Sequence, residues 1–161
     1  MESISELISR ARAAQAEFEK TATQESVDAI VKAIAKTVYE NAEPLAKLAA
    51  EESGMGLYED KINKNKGKAR IIWSFLKDKK SVGVISRDDR TCITEVARPM
   101  GVVAAITPCT NPIVTPMCNA MYAIKGRNAI IIAPHPRAKK CARVVTDLFR
   151  GEIEPPIWCC W

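Results

Sequence analysis

Cys109, Thr110 and Asn111 stand together in a short polar stretch after the apolar run Gly101 to Thr107, and His135 stands between two prolines after a second such run. These residue types span three chemistries. A thiolate attacks electrophiles, an imidazole of ordinary pKa gains and loses a proton near neutrality, and a carboxamide both accepts and donates hydrogen bonds. No base is suggested near Cys109, so it is not read as a nucleophile. His135 is the only histidine; a base is one reading, but Pro134 and Pro136 on either side favour a residue that shapes its loop. Asn111 precedes Pro112, and Asn at the cap with Pro at the first helical position is a helix start.

The elements that must hold these residues follow from the apolar pattern. Gly101 to Thr107 (GVVAAIT) is short, continuous and rich in β-branched residues, as in a buried strand. Ile113, Met117, Ala120, Met121 and Ile124 recur at three- and four-residue spacing, one face of a helix that Gly126 stops. Ala129 to Ala133 (AIIIA) is a second buried-type strand. A strand–helix–strand unit with parallel strands crosses over right-handedly, so Thr107 to Asn111 and Pro134 to Pro136 must leave the sheet at one rim. Ligands of open α/β sheets bind at that rim, and a helix start there favours an anionic group. A small-molecule site for a nucleotide-containing cofactor and a plain α/β core without a ligand both fit the pattern alone.

The remainder of the 161 residues sets the frame. The length suits one domain, and 47% hydrophobic with 27% charged residues is a globular composition. No apolar run approaches a membrane span, and the polar, amphipathic N-terminus lacks the apolar segment of a secretory signal, so a cytoplasmic location is expected. The six cysteines form no CxxC pair and no Cys/His cluster; reduced, mostly buried thiols and no metal are expected. The net charge of +5 is concentrated in residues 61–80, with eight Lys and Arg against one Asp. A solvated helix face is favoured there over a nucleic-acid contact, because few aromatics interleave the charges.

Taken in order, residues 1–80 read as a helical lead-in. The first helix carries Ile4, Leu7, Ile8, Ala11, Ala14 and Phe18, and a second runs from about Ser26 to Asn41. A third runs from Glu43-Pro44 to Ser53-Gly54, and a basic fourth spans about Tyr58 to Lys79. Residues 81–98 read as a β-hairpin turning at Arg87-Asp88-Asp89-Arg90, its strands Val82 to Ser86 and Thr91 to Arg98. Two readings stay open for it: pairing with another subunit through its free edges, or a solvated edge. Residues 99–150 hold the strand–helix–strand unit and a last helix, Arg137 to Arg150. Residues 151–161 (GEIEPPIWCCW) are an atypical tail without period that leaves Trp158 and Trp161 exposed.

The segment Pro99 to Pro136, with PMGVVAAITPCTNP, IKGRN and APHPRA, resembles the aldehyde dehydrogenase superfamily. It is most similar to the coenzyme A-acylating branch, which includes acylating succinate-semialdehyde dehydrogenases and the dehydrogenase half of aldehyde-alcohol dehydrogenases. YEDKINKNKGKARIIWSFLKDKKSVGVI resembles the same branch, and the likeness runs from about residue 3 to 150. It implies an α/β fold in which N-terminal helices and a β-hairpin lead into the first half of a Rossmann-like parallel sheet. The implied reaction takes an aldehyde (succinate semialdehyde or acetaldehyde among the candidates), NAD or NADP and coenzyme A to acyl-CoA, in a homo-oligomer, with no part for nucleic acid or membrane.

By that resemblance, Ile106, Thr107, Pro108, Cys109 and Thr110, with Ala133, Pro134 and His135, line the cofactor. Asn111 matches the asparagine whose amide donates to the oxyanion that forms as a cysteine adds to the aldehyde. The helix cap remains the alternative role for Asn111. Ala133 stands where hydrolysing relatives carry a lysine, which suits the acylating branch and leaves NAD against NADP open. None of the six cysteines matches the nucleophile, which lies further along in relatives. The expectation is therefore a truncated chain, inactive alone. The alternative is a non-catalytic copy that pairs with a full-length relative or has no function.

Overall fold

The computed structural model describes residues 3–152 and 158–160. Helix α1 (Ile4–Thr21) starts where Ser3 and Glu6 form a reciprocal capping box, and α2 (Gln24–Glu40) starts on a second box between Thr23 and Ser26. Each box satisfies amide groups that a bare helix end leaves unpaired. Helix α3 (Ala42–Ser53) ends at Gly54, whose φ of +65° is the left-handed conformation that glycine enters without steric cost. Helix α4 (Tyr58–Leu76) opens with Glu59 and Asp60 in its first turn, where acids complement the helix dipole. These helices match the expected set to within a few residues at each end. Ile4 and Ile8, expected on the inward face of the first helix, are instead 60% and 36% exposed.

The hairpin forms as an antiparallel pair of β1 (Val84–Asp88) and β2 (Ile93–Val96), with Asp88 opposite Ile93. Its turn therefore lies at 89–92 and not at 87–90. The Asp88 carboxylate accepts from the amides of Arg90 (2.9 Å) and Thr91 (3.4 Å), and Cys92 takes a φ of +56°. An Asp side chain that closes a turn over the following residues accounts for the two-residue shift. Every residue of both strands is exposed.

The parallel sheet has the order β3 (Val102–Thr107), β4 (Ala129–Pro134), β5 (Trp158–Cys160). Helix α5 (Val114–Lys125) makes the crossover, and a 3₁₀ turn (Pro136–Ala138) leads into α6 (Lys139–Glu152). Helix α5 thus begins two residues later than the Asn-Pro signal suggests, with Ile113 at its cap and no side-chain cap bond. Pro112 lies in the preceding turn, and Pro116 takes a place in the first helical turn, where a missing amide costs nothing. The tail, expected to be irregular, pairs residues 158–160 with β4 in parallel. The exposure expected for the Trp158 and Trp161 side chains lies outside what the structure describes.

Helix α2 is the centre of the core. Val27, Ile34, Val31 and Val38 are fully buried, as are Met117, Ala120, Met121 and Ile124 of α5 and Ala129 and Ile130 of β4. Helix α1 lies against the sheet beside Val102, Ala104, Ile131 and Ala133, leaving an apolar groove between them. Beneath the core, Lys125 is 5% exposed and pairs with Asp28, which also accepts from Gln24 at 3.0 Å.

Candidate functional site

Strands β3 and β4 run in register, so Thr107 lies beside Pro134. The His135 amide then donates to the Thr107 carbonyl at 3.0 Å, one step past the end of the ladder. Both exit loops, 108–113 and 135–138, leave from this one rim. The start of the unit is pinned as firmly. Asn128 accepts from the amides of Met100 (2.6 Å) and Gly101 (2.9 Å) and donates to the carbonyls of Ala123 (3.1 Å) and Gly126 (3.2 Å). A buried carboxamide with its hydrogen-bonding capacity met in this way fixes strand against strand. The preceding Arg127, at φ +57°, donates to the Ala97 carbonyl at 2.8 Å and ties the hairpin to the sheet. The sequence reading of IKGRN contained neither role.

At the rim, Thr107 is buried while Ile106 is 85% exposed. Pro108 and Thr110 are exposed; Cys109, Asn111, Ala133, Pro134 and His135 are half-buried. The His135 imidazole is engaged locally: Nδ1 accepts from the Arg137 amide at 3.1 Å and caps the 3₁₀ turn. That geometry agrees with a loop-shaping residue and holds Nδ1 as an acceptor. Arg137 in turn donates to the Ser53 carbonyl at 3.0 Å, fastening this loop to the end of α3.

Asn111 departs from the cap reading. Its main-chain carbonyl accepts from the Thr115 amide at 3.1 Å, but its side chain makes no bond to the helix start. Instead Oδ1 accepts from Lys64 Nζ at 3.0 Å, and Nδ2 donates to Thr110 Oγ1 at 3.4 Å. The carboxamide is therefore held from outside its own loop, by a cation. Lys64 comes from the second turn of α4, brought here because the connection at 54–57 crosses the first exit loop, with Met55 Sδ 3.9 Å from Cys109 Sγ. The result is a cleft of about 290 Å³ lined by Met55, Asp60, Lys61, Lys64, Thr110 and Asn111. Burial, and then the charge of Lys64, pull the Lys61 ammonium below its ordinary pKa.

Behind the rim, Glu52 receives the amides of Lys140 (2.7 Å) and Cys141 (2.6 Å) at the start of α6. Burial works against its charge, yet the Cys141 thiol, these two amides and the Lys140 charge outweigh it, so its carboxyl lies below the ordinary range. The same contact makes Cys141 inert: burial, then the hydrogen bond to Glu52 and its charge, push the thiol up to about 12. Cys118 is likewise raised by burial. Cys92 is on the exposed hairpin turn, away from the rim.

The rim therefore gathers every residue that the sequence reading assigned to one site. That reading missed Lys61, Lys64 and Glu52. The lysines recur at i and i+3 on one helical face, but nothing in that spacing says which loop the face meets.

Comparison with known proteins bears on what such a rim serves. The aldehyde dehydrogenase family profile matches residues 1–156. The acetylating succinate-semialdehyde dehydrogenase of Clostridium kluyveri is 54% identical over 152 residues, 94% of this chain and 33% of that protein. The bifunctional aldehyde-alcohol dehydrogenase of Escherichia coli is 42% identical over 142 residues, 88% of this chain and 16% of that protein. In structure, the acetylating aldehyde dehydrogenase of Geobacillus thermoglucosidasius superposes with a TM-score of 0.88 at 39% identity, covering 96% of this chain and 35% of that one. The chain thus spans about a third of the Clostridium enzyme and of the Geobacillus structure.

Proposed function

The chain belongs to the aldehyde dehydrogenase family, and from that premise we propose that it supplies half of the nicotinamide site and the oxyanion donor of a coenzyme A-acylating enzyme. The parent reaction is aldehyde, NAD(P) and coenzyme A to acyl-CoA and NAD(P)H. Family membership supports the oxidoreductase class, and the named acetylating relatives support the acylating branch. The aldehyde is a short one, with succinate semialdehyde and acetaldehyde as the candidates.

The residues at the rim fit a nicotinamide nucleotide. Ile106 offers an exposed apolar side chain, and Ala133 and Pro134 leave the exit of β4 low and open. Ile106 to Thr110 and Ala133 to His135 would hold the nucleotide by main chain and small side chains. When bound, that cofactor accepts the hydride that the aldehyde carbon gives up.

What this chain does in the reaction falls to Asn111. As a thiol adds to the aldehyde carbon, negative charge builds on the aldehyde oxygen. A carboxamide N–H already aimed there stabilises that charge without reorganising at the moment of reaction. The observation that carries this reading is that the Asn111 side chain is not spent on the helix start: its Oδ1 accepts from Lys64, and its Nδ2 makes only a long 3.4 Å bond to Thr110 Oγ1 on the same exit loop. The thiol itself comes from outside these residues. Cys141 is held protonated under Glu52, and among the described residues Cys109 has a methionine sulfur and no base as its hydrogen-bond partner. The 161 residues alone therefore turn over no aldehyde; NAD(P)H or acyl-CoA formed by the pure chain would refute this.

The test of Asn111 uses a full-length hybrid in which residues 1–152 of this chain replace the matching third of the Clostridium kluyveri enzyme. Asn111→Ser should lower kcat by about 10²- to 10³-fold, the usual cost of one lost oxyanion donor, with KM little changed. Undiminished turnover would contradict the role.

A further inference from the structure

We infer that Lys64 is a positioning residue for this reaction: its ammonium grips Oδ1 of Asn111 and so sets which end of the carboxamide faces the reacting oxygen. The inference rests on the oxyanion reading of Asn111 and deepens it.

A carboxamide has two ends of nearly equal shape and opposite polarity. An oxyanion donor that flips presents a lone pair to the developing negative charge and opposes the reaction it should assist. Something must therefore hold Oδ1 away from the reacting oxygen. In an N-cap, the helix amides would do it, but here the helix begins at Val114 and takes no side-chain bond from Asn111. Asn111 Nδ2 donates to Thr110 Oγ1 at 3.4 Å, but a hydroxyl both accepts and donates and so meets either end; the contact that fixes the end is Lys64 Nζ to Asn111 Oδ1 at 3.0 Å. Lysine is suited to it, since an ammonium has three donors and no acceptor. Only the oxygen end of Asn111 can satisfy it.

The position of Lys64 is selective. Asp60 lies four residues earlier on the same helix, the spacing at which acid and base pair most readily on a helix surface. Among the described residues, however, no ion pair joins Lys64 to Asp60 or to any other carboxylate; the lysine spans 47 residues of sequence to reach Asn111. Its positive charge also draws electron density toward Oδ1, which makes the N–H end a better donor, as hydrogen bonds to a charged group generally do. Lys61 lines the same cleft but makes no hydrogen bond to Asn111. It serves as an internal control.

Two measurements test the inference. In the 161-residue chain, the side-chain amide protons of Asn111 are followed by nuclear magnetic resonance. Lys64→Met should shift them and speed their exchange by rotation about the C–N bond, Lys64→Arg should restore them, and Lys61→Met should leave them in place. In the full-length hybrid, Lys64→Met should lower kcat by about tenfold or more with KM changed less than about threefold, and Lys64→Arg should recover most of the loss. Adding Lys64→Met to Asn111→Ser should cost nothing further, because there is no carboxamide left to orient.

Loss in Asn111→Ser with full turnover in Lys64→Met overturns the positioning role and leaves the oxyanion reading intact. Full turnover in Asn111→Ser overturns the oxyanion reading itself. Additive losses in the double variant also overturn the positioning role, because Lys64 then acts on something other than Asn111. If Lys64→Met does not fold, Lys64→Gln is compared with Lys64→Arg in the same assays. Equal turnover in those two overturns the inference, since only one of them carries a charge.

Discussion

Glu52 shows how much one side chain does here without touching a ligand. Its carboxylate caps α6 at 2.7 and 2.6 Å and keeps the Cys141 thiol protonated. Because its folded pKa is depressed, its contribution to stability is present above the unfolded carboxyl value and is lost as pH falls through the folded one. Glu52→Gln should therefore cost about 1–2 kcal/mol near neutrality and flatten the loss of stability below about pH 4.5. Urea unfolding at a series of pH values measures both effects. A second consequence concerns thiols: in the native chain at pH 8, a maleimide should modify the exposed Cys92 within minutes and leave Cys141 untouched until the protein unfolds. Mass mapping of the labelled peptides checks this. At this scale, Asn111 and His135 were visible in the sequence because each stands at a break in an apolar pattern. Lys64, Glu52 and Asn128 were not, because their partners lie 47, 88 and 28 residues away and no local period marks such pairs.

Elements were more legible than their junctions. The apolar face of α5 reads directly from spacing, and the same residues, Ile113, Met117, Ala120, Met121 and Ile124, are buried. Departures occur where a side chain overrides the local rule: Asp88 moves the hairpin turn, and Asn111 gives its Oδ1 to Lys64 instead of the helix. The Asp28–Lys125 pair between α2 and α5 is a junction of another kind, with the lysine almost wholly buried. Removing one partner strands the other's charge, so Asp28→Ala should destabilise the chain by about 3–5 kcal/mol. Thermal unfolding should show a large drop, and Asp28→Asn should fall between that variant and the native chain. The hairpin is exposed along its whole length, and we propose it as a surface that pairs with another subunit. Ile93 and Val96 are 59% and 51% exposed. Changing both to Lys should shift a full-length hybrid to smaller oligomers in sedimentation while leaving the fold intact.

For the whole molecule, the important relation is between the sheet and the two loops that leave it. A right-handed crossover from β3 to β4 was predictable from two apolar runs and the helix between them, and the register then fixes Thr107 beside Pro134. What pattern alone left open was whether that rim serves a ligand; family membership supports the proposal that it serves a cofactor and an aldehyde. The third strand, β5, was not foreseen because the tail around Pro155-Pro156 carries no alternation to read. The central claim is that the loops after Thr107 and after Ala133 together form half of a nicotinamide nucleotide site. A crystal structure of the full-length hybrid soaked with NAD or NADP tests it most directly. The expected result is nucleotide density lying against residues 106–110 and 133–135. Density elsewhere on the sheet, with those two loops bare, would contradict it.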